Sequence, residues 1–489
     1  VFAEAARDDR CLTYGGLLRA AGEWTGALGD LGIGTGGTVG VAIADPLGFA
    51  ASFVGILAAG RTVAPLDPGA TDAELAAACA RCAPSAVFAD RPPPAGLAVP
   101  WLTPPSGRSA RPGAGPAPRS GLDGAPGTDA MARGSGGVVL TTSGTTGRPK
   151  VIRLGAAQLL HTAGCVVSHF GLTAEDRGFN PLPLFHINAE VVGLLATLVS
   201  GGTVVLEDRF HRHGFWEAVG RHRATWVNAV PAILARLAVL EDGEDVPGGL
   251  RFARSASAPL PVPVLERFEA ATGIPVVETY GMTEAASQIT ANPLRARKPG
   301  SAGVPVGTEV RVVMGARSAV PPGEVGRVVI RGPGVISAYA SAGYEDRVDA
   351  DGWLETGDLG YLDEEGYLFL AGRADDVINR GGEKIYPREV EEIVLAEPGV
   401  DAVAVVGEEH DVLGRVPVAY LVGAEVRGPG DADTAAELVA RVHARCARLL
   451  SRQRCPVAYH VVEELPQGAT GKVRRVALAG TAVVHSLHP

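Results

Sequence analysis

Leu17, Leu18, Ala21, Trp24, Leu28 and Leu31 recur at helical spacing near the start of the chain, which predicts an amphipathic helix. Residues 38–44 (TVGVAIA) read as a buried strand, 49–59 and 72–82 as helices, and 85–89 as the next short strand. Such alternation predicts parallel βα units. Residues 91–137 then turn rich in Pro, Gly and Ala and lose periodicity, as a surface excursion does. The pattern resumes at 138–140 and runs to about Tyr280, with strands expected at 203–206, 226–229, 252–255 and 276–279 and helices between them. After Gly300 the texture changes. Residues 310–313, 325–330 and 367–370 are short β-type runs broken by PG, EG and DG turns, predicting a small β-barrel or antiparallel sheet. A helix from Pro387, strands at 400–406 and 416–422 and a helix through 438–449 predict a compact α+β module. The fold class expected is therefore α/β. A large N-terminal domain (residues 1–373) of αβ-layered sheets plus a small β-barrel would precede a small mobile α+β C-terminal domain (residues 374–489).

Length and composition agree with that division. A chain of 489 residues exceeds what one hydrophobic core supports. With 46% hydrophobic and 20% charged residues it is core-forming, not disordered. A net charge of -10 argues against a general nucleic-acid or anionic-membrane surface, though not against local phosphate pockets. Six cysteines in this length do not make a disulfide framework, and Cys79 and Cys82, a CxxC in an Ala-rich helical run, read as a reduced, partly buried pair. No basic-plus-apolar leader precedes Leu12, and no charge-free run approaches a membrane span. A soluble, cytoplasmic protein is expected, monomeric or dimeric; because the chain begins at Val1, a short native start is expected before it.

Only four lysines occur among the 44 Lys+Arg residues: Lys150, Lys298, Lys384 and Lys472. In a chain that writes Arg for a plain positive charge, a surviving lysine marks a place needing a compact, flexible ammonium. Three of the four lie in Gly-containing motifs. Residues 141–150 (TTSGTTGRPK) follow a strand and place Gly144, Gly147, five hydroxyls and Lys150 where backbone N–H groups can face an anion. This is not GxxxxGK[ST], since Lys150 comes two residues late and neither Ser nor Thr follows. Three more stretches fall where strands should end, the usual ligand edge of an open α/β sheet: 183–188 (PLFHIN), 255–261 (SASAPLP) and 278–285 (ETYGMTEA). Glu284 beside Thr283 suits a carboxylate holding phosphate-bound Mg²⁺. Asp358 in TGDL and Arg373 in GRADD suit a ribose. Residues 379–390 (NRGGEKIYPREV) and 466–474 (PQGATGKVR) complete the set.

Together these stretches, in this order, resemble the adenylate-forming superfamily of acyl-CoA synthetases, peptide-synthetase adenylation domains and luciferases. The resemblance spans nearly the whole chain. It implies that Thr141, Thr142, Ser143, Gly144, Thr145, Thr146 and Lys150 clasp the ATP phosphates. Ser257, Ala258, Pro259, Tyr280, Gly281 and Met282 would enclose adenine, and Asp358 and Arg373 would hold ribose. Thr283 and Glu284 would serve phosphate and Mg²⁺, with Glu284 the metal ligand. Asp375 would be the hinge, and Lys472 would reach the carboxylate and α-phosphate during adenylation. Arg380, Gly381, Gly382 and Glu383 would lie beside a CoA tunnel. A carboxylate and ATP repel each other, so cations must offset both charges and hold the attacking oxygen in line.

The segments 215–234 and 250–307 look like the small-acid branch that includes oxalyl-CoA synthetase. That branch tends to place His at the positions of Asn188 and Ser287; both are neutral here, which argues against oxalate itself. The family also usually continues with Gly after the phosphate-loop lysine, where this chain has Val151. The acid pocket expected is lined by His186, also counted as catalytic, with Asn188, Val230, Ser255, Ser257, Gly281 and Ser287, a neutral polar set suited to a small acid. Three readings stay open. The first is an AMP-forming acid–CoA ligase of secondary metabolism using ATP, Mg²⁺ and CoA. The second is an adenylating enzyme with another acid or acceptor, such as a carrier protein or nitrite transferred to an aryl amine. The third is a non-catalytic nucleotide binder, which predicts loss of Lys472, Glu284 or Asp358; all are present.

Overall fold

The βα alternation of the first half folds into two largely parallel sheets. The computed structural model describes residues 1–105, 136–142, 150–241, 243–315, 318–341, 343–426, 431–466 and 473–487. The first sheet has six strands in the order Trp101–Leu102, Ala86–Ala89, Thr38–Ala42, Thr62–Pro65, Gly137–Thr142 and Lys150–Gly155, parallel except for the last pair. The second has nine, with a parallel centre running Val276–Tyr280, Phe252–Ser255, Trp226–Ala229, Arg177–Asn180, Thr203–Leu206 and Ala3–Ala5. Register pairs Ala229 with Ser255 and Ser255 with Glu278, so these strands end level. Level carboxyl ends form a ligand edge.

Helix Pro46–Ala58 is capped by the Asp45 side chain and has Pro in its first turn, a sharp start. From Leu47 to Leu57 it is buried on nearly all sides, as expected of a helix apolar all round. Helix Tyr14–Asp30 packs on it through Trp24, whose ring lies where a Cβ on Gly55 would stand, 2.5 Å away. Helix Asp72–Cys82 opens with a reciprocal Thr71–Glu74 capping box. Its two cysteines are buried and outside any disulfide, and burial raises both thiol pKa values. That fits the expected reduced pair.

The region after Gly300 is a five-stranded antiparallel sheet, ordered Ser318–Ala319, Glu309–Met314, Gly326–Arg331, Leu354–Leu362 and Leu368–Arg373. The last segment builds its sheet on the long pair Val400–His410 and Gly414–Gly423, backed by helices Pro387–Leu395 and Ala432–Leu449. Lys150 begins an edge strand, and the TGDL stretch lies inside the strand Leu354–Leu362. Among the described residues no helix is long and apolar enough to cross a membrane.

Candidate active site

One cavity of about 870 Å³ opens where the strand ends of the nine-stranded sheet meet the antiparallel sheet and the last segment of the chain. Thr141 and Lys150 border it at one side. Lys150 Nζ lies 4.0 Å from Glu284 Oε1 and over the rings of Tyr339 and Tyr344, at 5.1 and 4.7 Å from their centroids. The Tyr339 hydroxyl donates to the same Glu284 oxygen at 2.9 Å. A half-buried ammonium is thus held by one carboxylate and two aromatic faces, an arrangement that stabilises a desolvated cation. Val151, bulkier than the glycine of the resemblance, packs against Ala64, Cys82 and Val139, and its carbonyl accepts from the Ala340 amide at 3.1 Å. That contact ties the edge strand to the tyrosine-bearing segment. Ser143, Gly144, Thr145 and Thr146 lie outside the described residues, as does Lys472.

A second group is built across two strands. Asp358 and Arg373 are register partners, 3.2 Å apart as an ion pair. The Tyr280 hydroxyl donates to the other Asp358 oxygen at 2.5 Å. Burial, followed by the negative charge of Asp358, raises the Tyr280 phenol well above its ordinary value, so it stays a donor. Gly281 follows because nothing else fits: a Cβ there would meet the Ser287 carbonyl oxygen at 1.5 Å. Five non-glycine residues among those described have positive φ, and three of them (Ser257, Ala286 and Ser287) lie in this neighbourhood. Backbone strain of that kind gathers at ligand sites. Ser257, Ala258, Pro259, Met282, Thr283 and Glu284 all border the cavity, as expected for them.

The third group is the part of the cavity near the residues expected to face the acid. His186, Asn188, Ser257, Gly281 and Ser287 line it. Val230 and Ser255 do not; both are buried in the wall, Val230 as the N-cap of helix Pro231–Leu237 and Ser255 as the last residue of strand Phe252–Ser255. Burial lowers the His186 pKa to about 4 and its Nε2 has no hydrogen-bond partner, so the ring is neutral at neutral pH. Behind Asn188 stands a polar cluster that no motif announced. Arg254 is fully buried and donates to Asn188 Oδ1 at 2.8 Å, Asn228 Oδ1 at 3.0 Å and Gln288 Oε1 at 3.1 Å.

Arg380, Gly381, Gly382 and Glu383 lie away from the cavity, in the exposed hairpin of Ile378–Arg380 and Glu383–Ile385, where Arg380 donates to the Gln453 carbonyl and Glu383 pairs with Arg454. Asp375 is exposed in the short helix Ala374–Asp376, between the two parts of the chain. Instead Arg388 reaches the cavity, its guanidinium 3.8 Å from buried Glu278. Burial raises Glu278 to about 7 against the pull of Arg388. Leu465, Val473 and Arg475 also border the cavity, so both flanks of residues 467–472 face it. Of the four lysines, Lys298 bridges Asp363 and Glu365 outside the cavity lining, and Lys384 is exposed.

Mg²⁺ fits this donor set in one form only. Among the described residues no group of three or more His, Cys, Asp or Glu side chains could cage a metal. Glu284 with Thr283 provides a single carboxylate and a hydroxyl, the small protein share of an ion whose other ligands are phosphates and water.

Comparison with known proteins gives the same architecture. Residues 2–340 match the family model of AMP-binding enzymes, and residues 389–472 match the AMP-binding enzyme C-terminal domain. The sulfoacetate–CoA ligase of Cupriavidus necator is 38% identical over 490 residues, covering 96% of this chain and 92% of that protein. An oxalate–CoA ligase of Saccharomyces cerevisiae is 35% identical over 349 residues, covering 70% of this chain and 63% of that protein. The crystal structure of ATP-bound MatB from Rhodopseudomonas palustris superposes with a TM-score of 0.83 at 26% identity, over 98% of this chain and 94% of that one. The chain belongs to the AMP-binding, adenylate-forming enzyme family, with that family's C-terminal domain in place.

Proposed function

We propose that this protein joins a small organic acid to CoA at the expense of ATP, by way of an acyl-adenylate. The observation that carries the reading is the convergence of three groups on one cavity: Lys150 with Glu284, Asp358 with Arg373, and His186 with Asn188. In the first half-reaction an oxygen of the acid's carboxylate attacks the α-phosphorus, that P–O bond forms, and pyrophosphate leaves. In the second, the CoA thiolate sulfur attacks the adenylate carbonyl, the C–S bond forms, and AMP leaves. Lys150 and the hydroxyls of residues 141–146 would hold phosphate. Tyr280, Asp358 and Arg373 would hold the nucleoside, and neutral His186 would stand beside the carboxylate without adding charge. Mg²⁺, held through Glu284, would neutralise the departing pyrophosphate.

Lys472 is assigned to the first half-reaction, where its ammonium would bridge carboxylate and α-phosphate. Supporting this, both flanks of residues 467–472 border the cavity. The exposed hairpin carrying Arg380–Glu383 would then approach the CoA path only after rotation about Asp375, a switch of one site between two tasks. We place the protein in the cytoplasm as a monomer or dimer, with its free cysteines reduced.

The test is ATP–pyrophosphate exchange over a panel of small acids and nitrite, followed by CoA, an aryl amine or a carrier protein. A CoA thioester is expected. Exchange with nitrite alone, or an adenylate that yields only to an amine or carrier, overturns the reading. Lys472→Ala is expected to lower adenylate formation by about 100-fold or more while sparing thioester formation from supplied adenylate. Equal effects on both steps would remove Lys472 from its assigned role.

A further inference from the structure

Arg254 sets a physical problem. It is fully buried, yet each of its hydrogen-bond acceptors is a neutral amide oxygen, on Asn188, Asn228 or Gln288. Its Nε has no partner, and no carboxylate among the described residues sits within ion-pairing distance. Burial pushes the guanidinium down to about 9, which leaves it cationic at neutral pH. An isolated buried charge is costly, by several kcal/mol as an order of magnitude, unless an opposite charge comes close.

The cluster also fixes what the cavity sees. A guanidinium only donates, so the atom of Asn188 facing Arg254 must be its oxygen, which assigns the amide orientation without ambiguity. The Asn188 Nδ2 is thereby turned toward the cavity side, where its contact is a long 3.4 Å approach to Ser257 Oγ. Asn228 reinforces the choice by donating to Asn188 Oδ1 at 3.4 Å and to Asn180 at 2.9 Å. Arg254 itself does not line the cavity; Asn188, Ser257 and Ser287 do. The wall thus presents a polarised N–H donor and hydroxyls, backed by a positive charge in a low-dielectric layer where its field is weakly screened.

We infer that Asn188, oriented and polarised by Arg254 as a positioning residue, selects a compact acid whose far end carries a second anionic group. That anion, sulfonate or carboxylate, completes the charge that the protein leaves unbalanced. The inference rests on the acid–CoA ligase reading and narrows its substrate class. It also accounts for a neutral residue at position 188: a histidine there would not need to borrow charge from the layer behind.

The experiment measures kcat and KM of the full chain with sulfoacetate and malonate as dianions against propionate as a monoanion of comparable size. The dianions are expected to exceed propionate by at least about 100-fold in kcat/KM, expressed mainly in KM for the acid. Comparing sulfoacetate with malonate separates the two sources of the second charge. Asn188→Asp, nearly isosteric and still a partner for Arg254, is expected to collapse the dianion-to-propionate ratio by about 100-fold without a matching rise in KM for ATP. Arg254→Gln is expected to do the same and Arg254→Lys to restore part of the preference; if neither folds, Asn188→Asp alone decides. Propionate used as well as the dianions, or a ratio unmoved by Asn188→Asp, overturns the inference and leaves the ligase reading standing. Absence of exchange with every acid overturns both.

Discussion

A single histidine shows how much a buried ring can be asked to carry. His186 borders the cavity, yet burial lowers its pKa from 6.5 to about 4. Between those values the folded protein binds fewer protons than the unfolded chain, so stability rises with pH across the window and is flat above it. The stability is present above 6.5 and lost as pH falls through 4, a total of about 3 kcal/mol. His186→Gln should flatten that part of the curve, as followed by urea unfolding between about pH 4 and about pH 7. The tryptophans suit the measurement, because all five precede Leu354 and lie in the part of the chain that holds His186. At this scale the motifs were legible. Glu284, Asp358 and Arg373 stand out by residue type and by neighbours that are themselves polar or Gly. Arg254, Asn228 and Gln288 were not, because the cluster exists only when adjacent strands align in register, and a buried Arg reads in sequence as one more surface charge.

Elements were read well where period and length agreed. The strands Thr203–Leu206, Trp226–Ala229 and Phe252–Ser255, and the helix Asp72–Cys82, match their expected bounds because apolar runs of that length end at Gly, Pro or a capping residue. The π-helical turn Ala189–Leu195 escaped notice, since a continuous apolar run has no face to give away its winding. Its Glu190 is fully buried with neither carboxylate oxygen partnered, and burial raises its pKa well above the ordinary range. The strand Leu354–Leu362 was hidden by the glycine in TGDL, which reads as a turn but here takes a φ of 81° within a strand that bulges. Gly281 belongs to a tighter case. It sits at the end of strand Val276–Tyr280, and an added methyl would strike the backbone of Ser287, whose own φ is 90°. Backbone on both sides leaves little room to relax. Gly281→Ala is expected to lower stability by roughly 3 kcal/mol and to weaken ATP binding about tenfold or more, read by thermal unfolding and by nucleotide titration.

On the scale of the molecule, the nine-stranded sheet and the last segment of the chain meet across Glu278 and Arg388. Glu278 lies in the middle of the strand Val276–Tyr280, and Arg388 lies in the first turn of the helix Pro387–Leu395. The Arg388 guanidinium also pairs with Glu392, so it is not left alone if Glu278 is neutral. Glu278 is raised from 4.5 to about 7, the reverse of His186: its contribution is present below 4.5 and lost as pH rises through 7. In the wild-type protein the two slopes oppose each other and flatten the profile. Glu278→Gln is expected to be more stable than the parent by roughly 3 kcal/mol near about pH 8 and equal to it near about pH 4, in the same fluorescence assay. A difference independent of pH would show that the carboxyl does not titrate there. The changes of texture at Gly300 and near residue 374 precede the antiparallel sheet and the last sheet of the chain. The contact between the parts was not legible, because NRGGEKIYPREV offers several cations and only packing decides that Arg388 is the one turned inward. Lys150 makes a last point about the whole reaction. Two tyrosine rings and one carboxylate already occupy it, so a triphosphate held there as proposed would gain only the excess of its own attraction over theirs. A monophosphate, with fewer charges within reach, would gain far less. On the proposed role, the resting grip on Lys150 would act as a reset, tolerating the triphosphate, favouring loss of the spent nucleotide and readying the site for another turnover.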